Sequence, residues 1–283
     1  MMINKQKALY LAQHASRFFL RSGTHASLLR PEVGIILGTG WGEVLKDKLQ
    51  EVYRSISLAK VTGFDFLAQM DGIEGHKREL ILGRFGGRVC VMLSGRIHVN
   101  ESIFYPEAML MVRLQVQILI EMGAKHLIFT NAAGSLLDSI MVGDVVAHNG
   151  FVTLFAPPRP LFPGEFVAPE AKLKKENNIK IINAALDAGL TPHWGSGAMV
   201  CGPDFEGVLH DKDIMQRTGA SMAMMSILPE VAVAALYPDT QVYAVSFITN
   251  TASEEHSHEE NQKRAKGAGA KLGSLLSGLV KSI

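Results

Sequence analysis

Cysteine is scarce in this 283-residue chain: Cys90 and Cys201 are too few for a disulfide framework or a multi-cysteine zinc site. Both stand in apolar, strand-like stretches, which predicts buried free thiols. Net charge is nearly absent as well, since 28 Lys plus Arg against 27 Asp plus Glu leave +1. That balance argues against a whole-chain electrostatic hold on nucleic acid or on an anionic membrane, so neither is expected as a partner. Nowhere do about eighteen uncharged apolar residues run together, so no membrane span is expected. The first residues carry Lys5, Lys7, His14 and Arg17 among apolar neighbours and lack a signal-peptide core; a cytoplasmic protein is expected. Linkers, composition breaks and internal repeats are also missing.

What remains is strongly apolar. Hydrophobic residues make up 47% and charged residues 19%, which excludes intrinsic disorder and fits a large buried sheet, a subunit interface, or both. Ala8, Leu11, Ala12, Ala15, Phe18 and Phe19 fall on one helical stripe that ends near Gly23. Residues 32–37 read as a buried strand, and residues 79–85 and 88–93 as a hairpin around Gly86-Gly87. Pro106 to Met122 reads as a helix stopped by Gly123. Strands are expected at 126–130, 144–147 and 241–248, and a proline-rich loop at 155–170. A closing helix carries Leu272, Leu275, Leu276, Leu279, Val280 and Ile283, with Ser257-His258-Glu259-Glu260 as its capping box. Alternating strands and helices predict a single α/β domain over 1–283, a central mixed β-sheet flanked by helices.

Several strand ends run into short segments that can carry chemistry. Gly38-Thr39-Gly40-Trp41-Gly42 reads either as a backbone nest for an anion or as a tight turn that needs glycine. It fails the dinucleotide fingerprint because residue 43 is Glu, and it lacks the Lys-Ser/Thr ending of a P-loop, so a nicotinamide dehydrogenase is disfavoured. Arg96 and His98 alternate with Ile97 and point the same way if the extended conformation continues; together they suit an oxyanion. The competing reading is a surface Arg and a structural His. Thr130-Asn131-Ala132-Ala133-Gly134 offers close backbone approach to a ligand, or is a plain strand-to-loop turn. Phe205 and Met225 are candidate apolar walls, and Glu206 and Asn250 candidate polar readers, although Glu206 also suits a helix start and Asn250 a turn. Glycine-punctuated strand ends in such number are stronger evidence than any one of them, because open α/β sheets bind ligands there.

In order along the chain, these segments resemble the purine nucleoside phosphorylase family of the trimeric type. The matching motifs are the glycine-rich loop at 38–42, Gly-His at 75–76, Gly-Arg-x-His at 95–98, Thr-Asn-Ala-Ala-Gly at 130–134 and Gly-Pro-x-Phe-Glu at 202–206. Met-Ser-x-x-Pro-Glu at 225–230 and Ile-Thr-Asn at 248–250 complete them. The resemblance implies a phosphorylase/hydrolase-like fold and reversible phosphorolysis of a purine nucleoside. It implies phosphate binding by Thr39, His76, Arg96, Ala132 and Ser226, and catalysis by His98, Asn250 and Glu206. Ala133, Phe205, Glu206, Met225, Asn250 and His258 become contacts to base and sugar, His258 lying near the 5′-hydroxyl. A solvated helix end competes with that role for His258. The resemblance also implies a homotrimer in which Phe162 reaches a neighbouring site, no cofactor beyond inorganic phosphate as co-substrate, and no metal. The ten histidines are scattered, and His256-Ser257-His258 has no third ligand.

Asn250 favours a 6-oxopurine, since its amide both donates and accepts. The methylthioadenosine branch of the family carries Asp at that position, so Asn250 counts against it; xanthosine stays open. The chain departs from the pattern after Gly-Arg-x-His. It has Val99-Asn100-Glu101-Ser102 where the family has x-Tyr-Glu-Gly, so an aromatic sugar contact is lost and Tyr105 is its candidate replacement. Gly207 follows Phe-Glu in place of Thr, and Trp41 replaces a Leu. These departures motivate a further alternative, a nucleoside-binding relative with weak or no turnover.

Overall fold

The computed structural model describes residues 4–21, 29–71, 77–156, 158–200, 202, 210–254 and 258–283. The helical stripe near the start forms α1 (Lys5–Arg21), which buries Ala8, Ala12, Ala15 and Phe19 and packs on α3 (Glu107–Glu121). Phe18 differs from its expected place: it is exposed, with the Arg54 guanidinium over its ring. Strand β1 (Val33–Leu37) is buried along its whole length. Its Ile36 enters one core, with α1 and α3; its Val33, Ile35 and Leu37 enter the other, with α2 (Val44–Lys48), α4 (Lys175–Asp187) and α8 (Gly269–Ser282). A strand covered on both faces reads as a continuous apolar run, as this one does.

β3 (Glu79–Phe85) and β4 (Arg88–Ser94) are the expected hairpin, and β2 (Leu49–Ser57) pairs antiparallel with β3 at the sheet edge. β1 is parallel to β4 on one side and to β5 (His126–Ser135) on the other. Beyond β5 come β6 (Val145–Val152), β7 (Pro192–Met199), β8 (Met222–Met224) and β9 (Gln241–Asn250). The order is β2-β3-β4-β1-β5-β8-β7-β6-β9, and β9 returns to pair with β5. Strands β5, β8, β7, β6 and β9 therefore close on one another into a small barrel, while β2, β3, β4 and β1 leave β5 as an open sheet. This is the mixed sheet flanked by helices that the sequence implies.

Two expectations need correction. β5 does not turn after Thr130: residues 131–135 stay in the sheet, with Asn131 opposite Ser246 on β9 and Ser135 opposite Met222 on β8. Small side chains here serve a strand squeezed at the junction of barrel and open sheet. The chain also closes with two helices, α7 (His258–Gly267) and α8, broken at Ala268. Residue 258 opens α7, not the last helix. Cys90 is a buried free thiol in β4, its pKa pushed up to about 12 by burial; Cys201 lies outside the described residues. Among the described residues no helix is long and apolar enough to cross a membrane.

Candidate active site

The C-terminal ends of β1, β4, β5 and β9 open into a cavity of about 790 Å³. Thr39, Arg96, His98, Ala132, Ala133, Met225, Ser226 and Asn250 all line it. These are all the expected site residues whose side chains are described. His76, Phe205 and Glu206, and the side chain of His258, lie outside the described residues.

Arg96 and His98 reach the cavity by another route than the expected one. β4 ends at Ser94, and Gly95 takes φ 86, a left-handed conformation that glycine adopts without a Cβ clash. The extended run is thus broken before Arg96. What aims the segment is Gln115, buried on the largely apolar α3. The Ile97 N–H donates to Gln115 Oε1 at 2.9 Å, and Gln115 Nε2 donates to the Ile97 carbonyl at 3.0 Å. The fully buried guanidinium of Arg96 donates to Glu230 Oε1 at 2.7 Å and to the Thr130 carbonyl. Glu230 belongs to the first turn of α6 (Leu228–Ala234). Burial pushes the Arg96 pKa down and the Glu230 carboxylate opposes the shift.

His98 caps the 3₁₀ turn Val99–Ile103, and its own N–H donates to Glu101 Oε1 at 2.7 Å. Glu101 is in turn ion-paired with the buried Arg78, which holds φ 50. The turn carries Asn100 and Phe104 to the cavity wall, and Tyr105 follows, its hydroxyl donating to Asp71 Oδ2 at 3.2 Å. Asn100 Oδ1 is buried without a hydrogen-bond partner among the described residues. Tyr105 does reach the cavity despite the altered loop.

The loop after β1 is stitched to β5. Gly38 N–H donates to Thr130 Oγ1 at 3.2 Å, and the buried Trp41 donates from Nε1 to the Asn131 carbonyl at 2.9 Å. Trp41, one of the departures from the family pattern, is therefore a strut beneath the glycine loop. On the far wall, Asn250 lies so close to β5 that a Cβ on Gly134 would stand 2.9 Å from Asn250 Nδ2. Lys212 of α5 (Asp211–Arg217) is buried beside the cavity, donating to the carbonyls of Ala252 and Glu254 just after β9. Burial pushes its pKa down. Arg264 of α7 donates to the Thr249 carbonyl at 2.7 Å and pairs with Glu254 at 3.0 Å. The Arg113 guanidinium lies 4.6 Å from the Phe162 ring centroid and pairs with Glu165.

Gln115, Glu230, Asn131, Asp71 and Lys212 are site components without an expected role from sequence. A signal existed for the first: Arg113, Gln115 and Gln117 interrupt an apolar helix, and a polar residue there needs a buried partner.

Residues 32–281 match the family model described as the phosphorylase superfamily. The purine nucleoside phosphorylase of Rattus norvegicus is 29% identical over 271 residues, covering 90% of each chain. That of Anopheles gambiae is 30% identical over 280 residues, covering 90% of this chain and 74% of the relative. Among solved structures, Schistosoma mansoni purine nucleoside phosphorylase in complex with adenosine superposes with a TM-score of 0.79 at 24% identity, covering 99% of this chain and 98% of the other.

Proposed function

The chain belongs to the phosphorylase superfamily and is an enzyme, and on that premise we propose that it catalyses reversible phosphorolysis of 6-oxopurine nucleosides to free base and pentose 1-phosphate. The observation that carries this reading is the convergence of eight residues, from Thr39 to Asn250, on one cavity at the ends of four strands. Thr39, His76, Arg96, Ser226 and the Ala132 N–H hold phosphate, an oxyanion that such donors suit, and His98 beside Arg96 acts in catalysis. Near-neutral overall charge is no obstacle, because a phosphate site needs only these few groups.

Breaking the N-glycosidic bond develops positive charge on the sugar. Phosphate brings both the nucleophilic oxygen and a neighbouring negative charge, so no second catalytic carboxylate is required and positioning does much of the work. The departing purine gains electron density, which the Asn250 amide stabilises as it forms. Glu206 accepts from the ring N–H and from any 2-amino group, while Met225 and Phe205 pack on base and sugar. Adenine offers no matching ring N–H, so it leaves polar groups unpaired and reacts worse. The Lys212 ammonium, turned to backbone carbonyls, holds the strand end that carries Asn250.

Inorganic phosphate is the only co-substrate in this reading, and 1–283 acts as one phosphorylase-like domain. A homotrimer belongs to it too: Leu154 and Phe166, 80% and 94% exposed, are apolar surface for such an interface, and sedimentation equilibrium reads the chain number. The deciding assay is turnover of inosine, guanosine, xanthosine, adenosine and methylthioadenosine with and without phosphate. Phosphate-dependent release of hypoxanthine from inosine is expected, ahead of adenine release from adenosine. No turnover of any nucleoside in the presence of phosphate overturns the reading.

A further inference from the structure

We infer that His148, buried one layer behind the cavity, is a positioning residue that acts through Ser246 and Asn131 to turn the Ser226 hydroxyl into a donor toward bound phosphate. The inference rests on the phosphorolysis reading above and concerns a residue that no sequence motif singles out.

The chain of contacts crosses neighbouring strands. His148 on β6 places Nε2 2.7 Å from Ser246 Oγ on β9; Ser246 Oγ lies 2.5 Å from Asn131 Oδ1 on β5; Asn131 Nδ2 lies 3.4 Å from Ser226 Oγ. The strand pairing makes this register, with Ser246 opposite both Val146 and Asn131. His148 and Ser246 are wholly buried, and Asn131 and Ser226 border the cavity. The imidazole is further fixed by packing on Phe151, and its own carbonyl accepts from Asn178 Nδ2 at 2.8 Å.

Hydrogen count gives the chain a direction. A serine hydroxyl has one hydrogen. The 2.5 Å contact between Ser246 and Asn131 falls in the O–H···O range and below the N–H···O range, so Ser246 donates to the Asn131 oxygen. Ser246 then has no hydrogen left for His148, and the imidazole must carry its proton on Nε2 and donate. Nδ1, the unprotonated nitrogen, has no partner among the described residues, which leaves an acceptor rather than a donor unpaired. Deep burial without a facing charge keeps the ring neutral. With its oxygen engaged, Asn131 presents Nδ2 to Ser226, whose oxygen accepts. The Ser226 hydrogen is thereby free of Asn131 and available to an anion in the cavity. Reversed polarity would bind that hydrogen to Asn131 and turn a lone pair toward the phosphate, a repulsive arrangement.

The test measures KM for phosphate and for inosine separately in Ser246→Ala, His148→Leu and His148→Gln, with melting temperature recorded for each. Ser246→Ala and His148→Leu are expected to raise the phosphate KM roughly tenfold, the worth of one hydrogen bond, and to leave the inosine KM within about twofold. His148→Gln, whose amide N–H can replace the Nε2 donor, is expected to return the phosphate KM to within about threefold of wild type. A Ser246→Ala enzyme with unchanged phosphate KM overturns the relay, as does an equal rise in both KM values or a Gln variant no better than Leu. Ser246→Ala removes a single atom, so it keeps the test decisive should the His148 variants fold poorly. Wild-type protein that turns over no nucleoside sinks the phosphorolysis reading by itself. Calorimetry with inorganic phosphate then judges the relay: weaker binding to Ser246→Ala than to wild type supports it, and equal or absent binding overturns it.

Discussion

Arg96 and Glu230 form an ion pair at 2.7 Å in which the two side chains are 0% and 2% exposed. The pair joins the segment after β4 to the first turn of α6, and it explains why a cation can stand at the cavity wall before any anion arrives. Two buried charges are tolerable only together, because each alone keeps its desolvation penalty.

Glu230→Ala therefore leaves an uncompensated buried guanidinium. The expected loss is roughly 3–5 kcal/mol of unfolding free energy by urea titration. The double variant Arg96→Met/Glu230→Leu is expected to be more stable than Glu230→Ala, although inactive. A single variant that loses under about 1 kcal/mol would show that the pair is not energetically closed as the geometry says.

Gln115 makes two hydrogen bonds to one backbone unit, Ile97, and so sets the direction of the residues on either side. Gln115→Leu leaves the Ile97 N–H and carbonyl buried and unpaired, at a cost of about 2–4 kcal/mol. Because Arg96 and His98 flank that unit, kcat/KM for phosphate is expected to fall at least tenfold even at temperatures where the variant is folded. Wild-type kinetics in a folded Gln115→Leu protein would falsify this account of how the segment is aimed.

The sequence makes some of this visible and hides the rest for identifiable reasons. β1, β4, β5 and β9 are apolar runs, so the strands can be read directly, although β5 continues five residues past the turn expected after Thr130. β2 cannot be: Leu49–Ser57 is an edge strand, mostly exposed, and its polar composition gives no burial signal. β7 begins with Pro192 and contains Gly195 and Gly197, so local propensity opposes it and its pairing with β6 and β8 decides. The site shows the same division. Residues that touch the cavity from strand ends fall in motifs, whereas Gln115 and His148 look like ordinary helix or strand residues until a partner distant in sequence is known; Glu230 closes the motif at 225–230, yet its pairing with Arg96 emerges only in the fold. Arg96 does line the cavity, but not through the strand continuation that its alternation with Ile97 suggests, because Gly95 interrupts the extended run.

Gly134 has no side chain because Asn250 occupies the space: an added Cβ would stand 2.9 Å from its Nδ2 and 3.1 Å from its Oδ1. Gly134→Ala is expected to displace the Asn250 amide. On the proposed reading this raises the inosine KM roughly tenfold, one hydrogen bond's worth, with the phosphate KM unchanged. The outcome distinguishes the two walls of the cavity. A rise in the phosphate KM instead would place Asn250 beside the anion and reverse the assignment of base and phosphate ends.

His148 also sets an acid limit on stability. Burial holds its pKa at about 3 against an ordinary 6.5, so the folded state binds its proton less readily than the unfolded state. Between those values the unfolded chain carries more protons, and stability rises with pH. The contribution is complete above pH 6.5, declines as pH falls, and is gone once pH passes below about 3. At about 1.4 kcal/mol per pH unit of difference, this one group accounts for up to roughly 5 kcal/mol over the window. His148→Gln removes the titration while keeping a donor toward Ser246. Its unfolding free energy is thus expected to fall less steeply than that of wild type between pH 6 and pH 4, by nearly one proton's slope. Parallel profiles for the two proteins would mean that His148 is not the group whose charging limits the fold in acid.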